Sequence, residues 1–377
     1  MITKINLSVF LLAIVVLLSA CKTKLDNPKP DNNGLERAAI LSHYANEIIL
    51  PAYNQFNVKF QLMAIATDSF IAHPNASNLS TLRSAWISAY TEWQKVELFD
   101  FGPAEKETLR NFYNIYPADT AGIQANILNS TANLEVPVSF AQQGFPALDY
   151  LVNGVGSDRD ACLAFYTDTN NGSKRLAYLK RIVTRMNGLL GLVVTNWSTA
   201  YKDKFIEKTG LDIGSSTSLM VNGLALHYER FMRSGKFGIP SGAMLNGVIA
   251  PEKVEAFYEK EISRTLALSA HQAYVDFFNG KSVKTGLEGP SLKTYLNALD
   301  AKDGLTGKSL SQILNEQFAV CKSKMNLLQN NLYEEVKNNN QGMKNVFTEM
   351  QAAVRMIKVD MSSAMSITIT FTDNDGD

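Results

Sequence analysis

Apolar residues recur every three or four positions along most of this chain, which is the spacing of amphipathic α-helices. The clearest case is a single wide apolar face formed by Leu79, Leu82, Trp86, Ala89, Tyr90, Trp93 and Val96. The same spacing predicts further long helices over residues 35–71, 174–205, 218–233, 251–278, 309–336 and 343–361. Pro51 lies inside the first of these, so a kink or interruption is expected there.

The pattern changes only at the carboxyl end of the chain. Ile367, Ile369 and Phe371 alternate with threonines, which predicts a short strand. The fold class is therefore mainly α, most simply two helical-bundle domains packed together with a short C-terminal strand. We expect the N-terminal bundle to span residues 35–205 and the C-terminal bundle to span residues 206–377.

The first 34 residues do not fit either bundle. Residues 1–21 combine an early basic residue, Lys4, with an apolar run and the ending Leu18-Ser19-Ala20-Cys21, which resembles a bacterial lipoprotein signal peptide. An ordinary secretory signal with a chance cysteine is the alternative. The resemblance implies that Cys21 is lipidated and anchors the protein to the outer membrane, on the periplasmic or the surface face. Residues 22–34 then form a flexible tether.

Composition bears on two questions: whether the protein binds nucleic acid, and whether its cysteines form a disulfide. The 36 basic and 36 acidic residues give no net charge, so nothing attracts a polyanion such as nucleic acid. Beyond the signal, Cys162 and Cys321 are the remaining cysteines. One disulfide in an oxidising compartment and two buried thiols are both compatible with the sequence.

One short stretch stands out for its chemistry. Residues 142–151 read Gln-Gln-Gly-Phe-Pro-Ala-Leu-Asp-Tyr-Leu. In this frame Gly144, Pro146 and Asp149 resemble the Gly-x-His-x-x-Glu signature of the imelysin-like family. A histidine and a carboxylate three residues apart share a helix face and can hold a metal together. Pro146 replaces that histidine, and its side chain has no lone pair for a metal.

Two further landmarks support the resemblance: residues 85–103, which end in Phe-Gly-Pro, and the order of the later elements from the loop at residues 236–242 to the acidic tail. The family implies a bacterial envelope protein with two helical bundles and a functional cleft between them. It is named for a peptidase, and other members are linked to iron uptake. It places Gly144, Pro146, Asp149, Arg83 and Glu97 at the cleft as binding residues. The cofactor stays unknown: a weakly bound divalent metal or iron is compatible with the resemblance, but no ligand set can be read from the sequence.

Each candidate also has a structural interpretation. Asp149 could stabilise the start of its helix, and Arg83 and Glu97 could form an ion-pair stripe rather than bind a ligand or orient Asp149. His227 is expected to be a hydrogen-bonded, partly buried residue. Residues 236–242 form either a helix connection or an anion site made of backbone N–H groups. The acidic tail, residues 373–377, has partial calcium-loop spacing but lacks the closing glutamate.

Two functions remain in view. A metallopeptidase needs about three protein ligands on its metal and a general base, and no His-Glu-x-x-His helix is present. A binding protein needs only a shaped cleft with a few polar groups. We therefore favour a lipid-anchored, non-catalytic envelope protein that binds an unknown ligand or partner, in connection with iron uptake. A metal-dependent peptidase is the alternative.

Overall fold

The computed structural model describes residues 32–304 and 306–372, and the side chains within them except those of residues 32–35 and 159. Helices account for most of this part of the chain, as the sequence pattern predicts. The proposed lipidation site at Cys21, the signal peptide and the acidic tail lie outside the described residues. None of the described helices is both long and apolar enough to cross a membrane.

From residue 32 onward, the N-terminal half runs through ten α-helices: α1 (Asn32–His43), α2 (Leu50–Ala72), α3 (Ala76–Trp93), α4 (Pro103–Lys106), α5 (Leu109–Tyr113), α6 (Thr120–Leu128), α7 (Gly144–Asp149), α8 (Arg159–Thr167), α9 (Gly172–Asn196) and α10 (Lys202–Glu207). Short π-helical turns join some of them, at Tyr44–Ile49, Tyr150–Gly154 and Trp197–Tyr201. A 3-10 turn, Pro137–Gln142, precedes α7.

The C-terminal half contains α11 (Ser216–Leu226), a π-helical segment (His227–Gly238), α12 (Ser263–Asn279), α13 (Leu292–Ala298), α14 (Leu310–Asn326), α15 (Leu332–Arg355) and α16 (Ser362–Ala364). A 3-10 turn at Pro251–Lys253 and a π-helical turn at Met356–Met361 complete it. The π-helical segment is long for a form that is usually a single turn. We call residues 254–262, which link the 3-10 turn to α12, the junction loop.

Buried aromatic rings form the core of each half. In the N-terminal half α2 and α3 pack together, and the Trp93 ring lies 5.4 Å from Phe56 and 4.8 Å from Tyr113. In the C-terminal half Tyr228 packs edge-on against Tyr274 at 4.7 Å. Such offset and edge-on pairs add to the stabilisation that burial alone provides.

The start of the described chain, α1 and the π-helical turn after it, makes contacts with the C-terminal half. The Arg37 guanidinium donates to the Tyr295 hydroxyl at 2.8 Å, and the Tyr44 hydroxyl donates to the Phe277 carbonyl at 2.6 Å. The first helix of the N-terminal half therefore packs on the C-terminal half. A domain boundary at residue 205 stays a prediction.

Several helix boundaries differ from the sequence expectation. The helical coil continues past Pro51, because the π-helical turn Tyr44–Ile49 widens it just where the proline ring needs room. The helix predicted over residues 251–278 begins only at Ser263. The helix predicted over residues 309–336 is broken after Asn326, where Arg264 binds the carbonyl oxygens of Asn326 and Leu328.

The predicted C-terminal strand is wrong, because residues 367–371 pair with no other strand in the described chain and Phe371 lies at a bend. Their backbone instead bonds to one side chain of α11. The Asn222 amide donates to the Thr368 carbonyl at 3.0 Å and accepts from the Thr370 N–H at 2.8 Å. Ile367 is buried, so the apolar alternation reports packing on the helical core rather than sheet formation.

Candidate functional site at the junction of the two halves

The signature glycine is required by the backbone. Gly144 has φ of +81°, a region that residues with a Cβ rarely adopt, and a Cβ there would overlap the carbonyl of Tyr113. This close approach sets α7 against α5. The next residue, Phe145, stacks on the Tyr90 ring at 4.6 Å, and Trp86 Nε1 donates to its carbonyl at 3.2 Å. The signature helix is thus packed tightly into the N-terminal core.

Asp149 ends this helix and reaches across to the C-terminal half. Its carboxylate accepts the backbone N–H of Tyr258 at 2.9 Å and that of Glu259 at 3.0 Å, together with the Asn153 amide at 2.9 Å. The two backbone donors belong to the junction loop. Asp149 therefore fastens that loop onto the N-terminal half.

The arrangement does not fit a metal at the signature. Pro146 has no donor atom to offer, and the oxygens of Asp149 already accept three N–H groups. Within residues 32–304 and 306–372, no three His, Cys, Asp or Glu side chains come together as metal ligands would. We therefore assign no chemical step to a metal at this position.

Burial also changes the ionisation of Asp149. Loss of solvent raises the pKa of this carboxyl from its ordinary value to about 7, although the three N–H donors act in the opposite direction. The native protein consequently holds a proton on Asp149 over a pH range in which the unfolded chain has released it.

A second group of polar side chains is buried nearby, at the junction of the halves. We call it the junction cluster: Tyr90, Gln94, Glu97, Asn114, Lys236 and Glu255. Each of these is nearly inaccessible to solvent, including Glu97, Lys236 and Glu255 at 3% exposure. Charged side chains are seldom buried to this extent unless they are paired.

Glu255 is the centre of the junction cluster. Its Oε1 accepts from Gln94 at 3.0 Å and from Asn114 at 2.8 Å, and it lies 3.0 Å from the Tyr90 hydroxyl. Its other oxygen binds the ammonium of Lys236, which also donates to Gln94 Oε1 at 2.8 Å. The partners come from both halves, so the cluster forms only when the halves are docked.

Glu97 extends the cluster toward Arg110 and His227. The Asn114 amide donates to it at 2.9 Å, while the Arg110 guanidinium lies 4.0 Å and His227 Nε2 lies 3.7 Å from its oxygens, both longer than ordinary hydrogen bonds. Burial alone would raise the pKa of Glu97, but His227, Lys236 and Arg110 outweigh it and lower the pKa to about 2. Glu97 therefore remains charged.

The junction cluster and the signature helix are connected through the junction loop. Glu255 lies at one end of the loop and is held by the cluster, while Tyr258 and Glu259 are held by Asp149. Ala256, which lies between Glu255 and Tyr258, has a positive φ of 56°, and Lys260, which follows Glu259, has a positive φ of 51°. Such backbone strain persists only where surrounding contacts enforce it.

A cavity of about 460 Å³ opens next to the junction cluster. Glu97, Asn114 and Lys236 form one side of it, and Arg110, Arg230 and Lys253 bring further positive charge. A volume of this size is typical of small-molecule sites. We call it the junction cavity.

Another cavity, of about 390 Å³, lies between the end of α3 and α12. Its lysines are about half exposed and are paired on the surface, Lys95 with Glu92 at 2.8 Å and Lys281 with Asp276 at 3.7 Å. It has no counterpart of the buried junction cluster. The junction cavity is therefore the better candidate for a functional site.

The remaining sequence candidates occupy separate positions. Arg83 Nε donates to the Val152 carbonyl at 2.7 Å, just beyond Asp149, and Glu97 belongs to the junction cluster. The described partners of the Asp149 carboxylate include neither of them. Cys162 and Cys321 are both buried free thiols, so they do not pair. A binding role for Gly144, Pro146, Asp149, Arg83 or Glu97 stays a prediction.

The sequence does not single out the central residues of the site. Its pattern places Lys236 only in a connecting loop, whereas the residue lies in the π-helical segment and its side chain points into the junction. Glu255 and Asn114 belong to no motif. The available signal is a charged residue between small or apolar neighbours, as in Val254-Glu255-Ala256 and Gly235-Lys236-Phe237.

Replacing Asp149 tests its role as a fastener of the junction loop. Asp149→Ala leaves two backbone N–H groups without their acceptor, so we expect a loss of about 2–4 kcal/mol in the free energy of unfolding. Asp149→Asn keeps one acceptor oxygen and should lose less. Chemical denaturation measures both, with the exposed Asp203→Asn as the matched control.

The pH dependence supplies a second readout for the same variants. Because the native pKa of Asp149 is raised to about 7, its contribution to stability falls as pH rises from about 4 to about 7. Asp149→Asn cannot titrate, so the stability difference between wild type and this variant should shrink over that range. Wild-type stability in both variants at every pH would mean that Asp149 does not hold the loop.

Comparison with known proteins places this architecture in a family. The sequence model of the imelysin family, peptidase M75, matches residues 49–361. Iron-regulated protein A of Synechococcus elongatus is 23% identical over 179 residues, which are 46% of this chain and 44% of that protein. The chain thus matches less than half the length of that curated relative.

Two solved structures share the fold. One is a crystal structure described as an iron-regulated protein A precursor from Parabacteroides distasonis, with a TM-score of 0.72, 18% identity, and 89% of this chain and 96% of that chain covered. The other is an imelysin-like protein from Psychrobacter arcticum, with a TM-score of 0.67, 18% identity, and 90% and 98% coverage. These identities support the fold alone. The family match, however, spans most of the chain, including α7 and the whole junction cluster, and so this protein belongs to the imelysin family.

Proposed function

We propose that this protein binds a small ligand in the junction cavity without transforming it, and that it serves iron uptake at the bacterial cell envelope. The observation that carries the proposal is the junction cavity itself, about 460 Å³ in volume and bordered by the buried junction cluster. Rigidly held polar groups beside a cavity favour selective binding, because they need no reorganisation when a ligand arrives.

Binding is favoured over peptide hydrolysis by the residues at the signature. Pro146 stands where the family signature has a histidine, and Asp149 is engaged by backbone N–H groups. A metal-dependent peptidase would need about three ligands and a general base in one place. The connection with iron rests on relatives that are named as iron-regulated proteins.

The envelope location rests on the sequence before residue 22. The apolar run and Leu18-Ser19-Ala20-Cys21 support cleavage before Cys21 and attachment of acyl chains to its thiol. The anchored protein would then be tethered to the outer membrane through residues 22–31, since α1 begins at Asn32. The membrane face and the partner protein are left open by this proposal.

Lipidation of Cys21 is testable by mass spectrometry. Protein extracted from membranes of the native host should begin at an acylated Cys21, and Cys21→Ala should leave the protein unacylated with its signal peptide retained. A wild-type chain that begins at Met1, or a secreted form with an unmodified thiol, would contradict the lipoprotein assignment.

A variant that fills the cavity tests the binding function. Ile239 is half-buried and lines the junction cavity, so Ile239→Trp should occupy it. Leu327→Trp adds the same ring at an exposed site away from the cavity and is the matched control. In iron-starved cells, Ile239→Trp should lower iron accumulation to the level of a strain lacking the gene.

The control variant should restore the wild-type iron content. Both proteins must first show wild-type circular dichroism and comparable thermal unfolding, so that folding does not explain a difference. Normal iron accumulation with a folded Ile239→Trp protein would mean that the junction cavity has no part in this function.

A further inference from the structure

Three residues that line the junction cavity carry hydrogen-bond donors with no acceptor in the described part of the chain. Lys253 lines the cavity, and its ammonium has no hydrogen bond or ion pair within the described residues. Arg230 also lines it, and its Nε–H is buried without a hydrogen-bond partner in the same part of the chain. The Tyr116 hydroxyl adds a donor, because burial raises the pKa of Tyr116 well above its ordinary value.

The charged side chains at the junction cavity are also unequally paired. The ammonium of Lys236 is neutralised by Glu255, and Arg110 lies between Glu97 and Asp100 at 4.0 Å and 3.8 Å. Lys253 and Arg230 have no such carboxylate among the described residues. Arg230 donates to the carbonyl of Thr372 at 2.6 Å. Within residues 32–304 and 306–372, therefore, two positive charges at the cavity have no carboxylate partner.

The wall also has an apolar part. Ile115, Phe231 and Ile239 line the cavity, and the Arg110 guanidinium lies 3.3 Å above the centre of the Phe231 ring. This contact holds Phe231 in place as a flat surface. Charged Glu97 lies at the same cavity and opposes an anion of high charge. The cavity thus combines donors for one anionic group with an apolar surface for the rest of a ligand.

We propose that the junction cavity binds a small organic carboxylate, with the carboxylate held by Lys253, Arg230 and Tyr116 and the apolar part packed on Phe231 and Ile239. This inference rests on the proposed function, because it names the chemical class of the ligand for the same cavity. Arginine matches the two oxygens of a carboxylate with parallel N–H donors, and lysine adds a point charge.

Benzoate and benzamide are matched probes of nearly equal shape that differ in charge. Their affinities for the full-length protein in detergent can be measured by ligand-observed NMR, with protein-free micelles as the blank. Benzoate should bind about tenfold more tightly than benzamide, since hydrogen bonds to a charged acceptor are the stronger ones. Salt should weaken benzoate more than benzamide.

Lys253→Met keeps the length of the side chain and removes its charge. It should lower benzoate affinity about tenfold, and leave benzamide nearly unchanged. Lys174→Met, at an exposed position on α9, is the control and should change neither.

Three results would overturn the inference: no benzoate binding, equal affinity for the two probes, or unchanged benzoate affinity in Lys253→Met. If benzoate and benzamide bound equally well and Ile239→Trp abolished both, the preference for a carboxylate would be rejected, but the cavity would remain a binding site. The iron measurement with Ile239→Trp tests the proposed function separately, so the two failures can be told apart.

Discussion

Burial of three charged side chains at the junction of the halves constrains the rest of this structure. Glu97, Lys236 and Glu255 are almost fully removed from water, and each such transfer costs several kcal/mol unless partners compensate. Those partners come from α3, from the residue after α5, from the π-helical segment and from the junction loop. All four elements must therefore be positioned together, which fixes how one half docks on the other.

The same constraint accounts for the shape of the junction loop. Glu255 is fixed by the junction cluster and the next turn is fixed by Asp149, so the loop tolerates non-glycine residues at positive φ. The signature carboxylate has a structural task here. Its position on α7 is retained, while Pro146 removes the neighbouring metal-binding group. The junction cavity lies beside Glu97, Lys236 and Lys253, and the proposed function is placed there.

The sequence predicts the helices well because their apolar faces are local patterns. It predicts the α3 face correctly down to Trp86 and Trp93, both buried in the core. It fails where long-range contacts override local preference, as at Asn326, whose carbonyl binds Arg264, and at residues 367–371, whose backbone binds Asn222. The Asn222 side chain makes the backbone hydrogen bonds that a neighbouring strand would make, and one such residue leaves no periodic pattern in the sequence.

The candidate site shows the same limit. The family resemblance directs attention to Gly144 and Asp149, and these prove to lie next to the junction. More than one hundred residues of chain separate Asn114 from Lys236 and Glu255, and only folding brings the three together. Without a local spacing rule, a buried charge looks like any surface charge in the sequence.

A double-mutant cycle on Lys236 and Glu255 tests the central claim most directly. Lys236→Met and Glu255→Gln should each lower the free energy of unfolding by about 3–5 kcal/mol, since each leaves a buried partner uncompensated. The double variant should lose less than the sum, by about 1–3 kcal/mol. The exposed pair Lys180 and Asp68, changed to Met and Asn, should show almost no coupling. Additive losses at Lys236 and Glu255 would contradict the account, because the two charges would then not stabilise the junction as a pair.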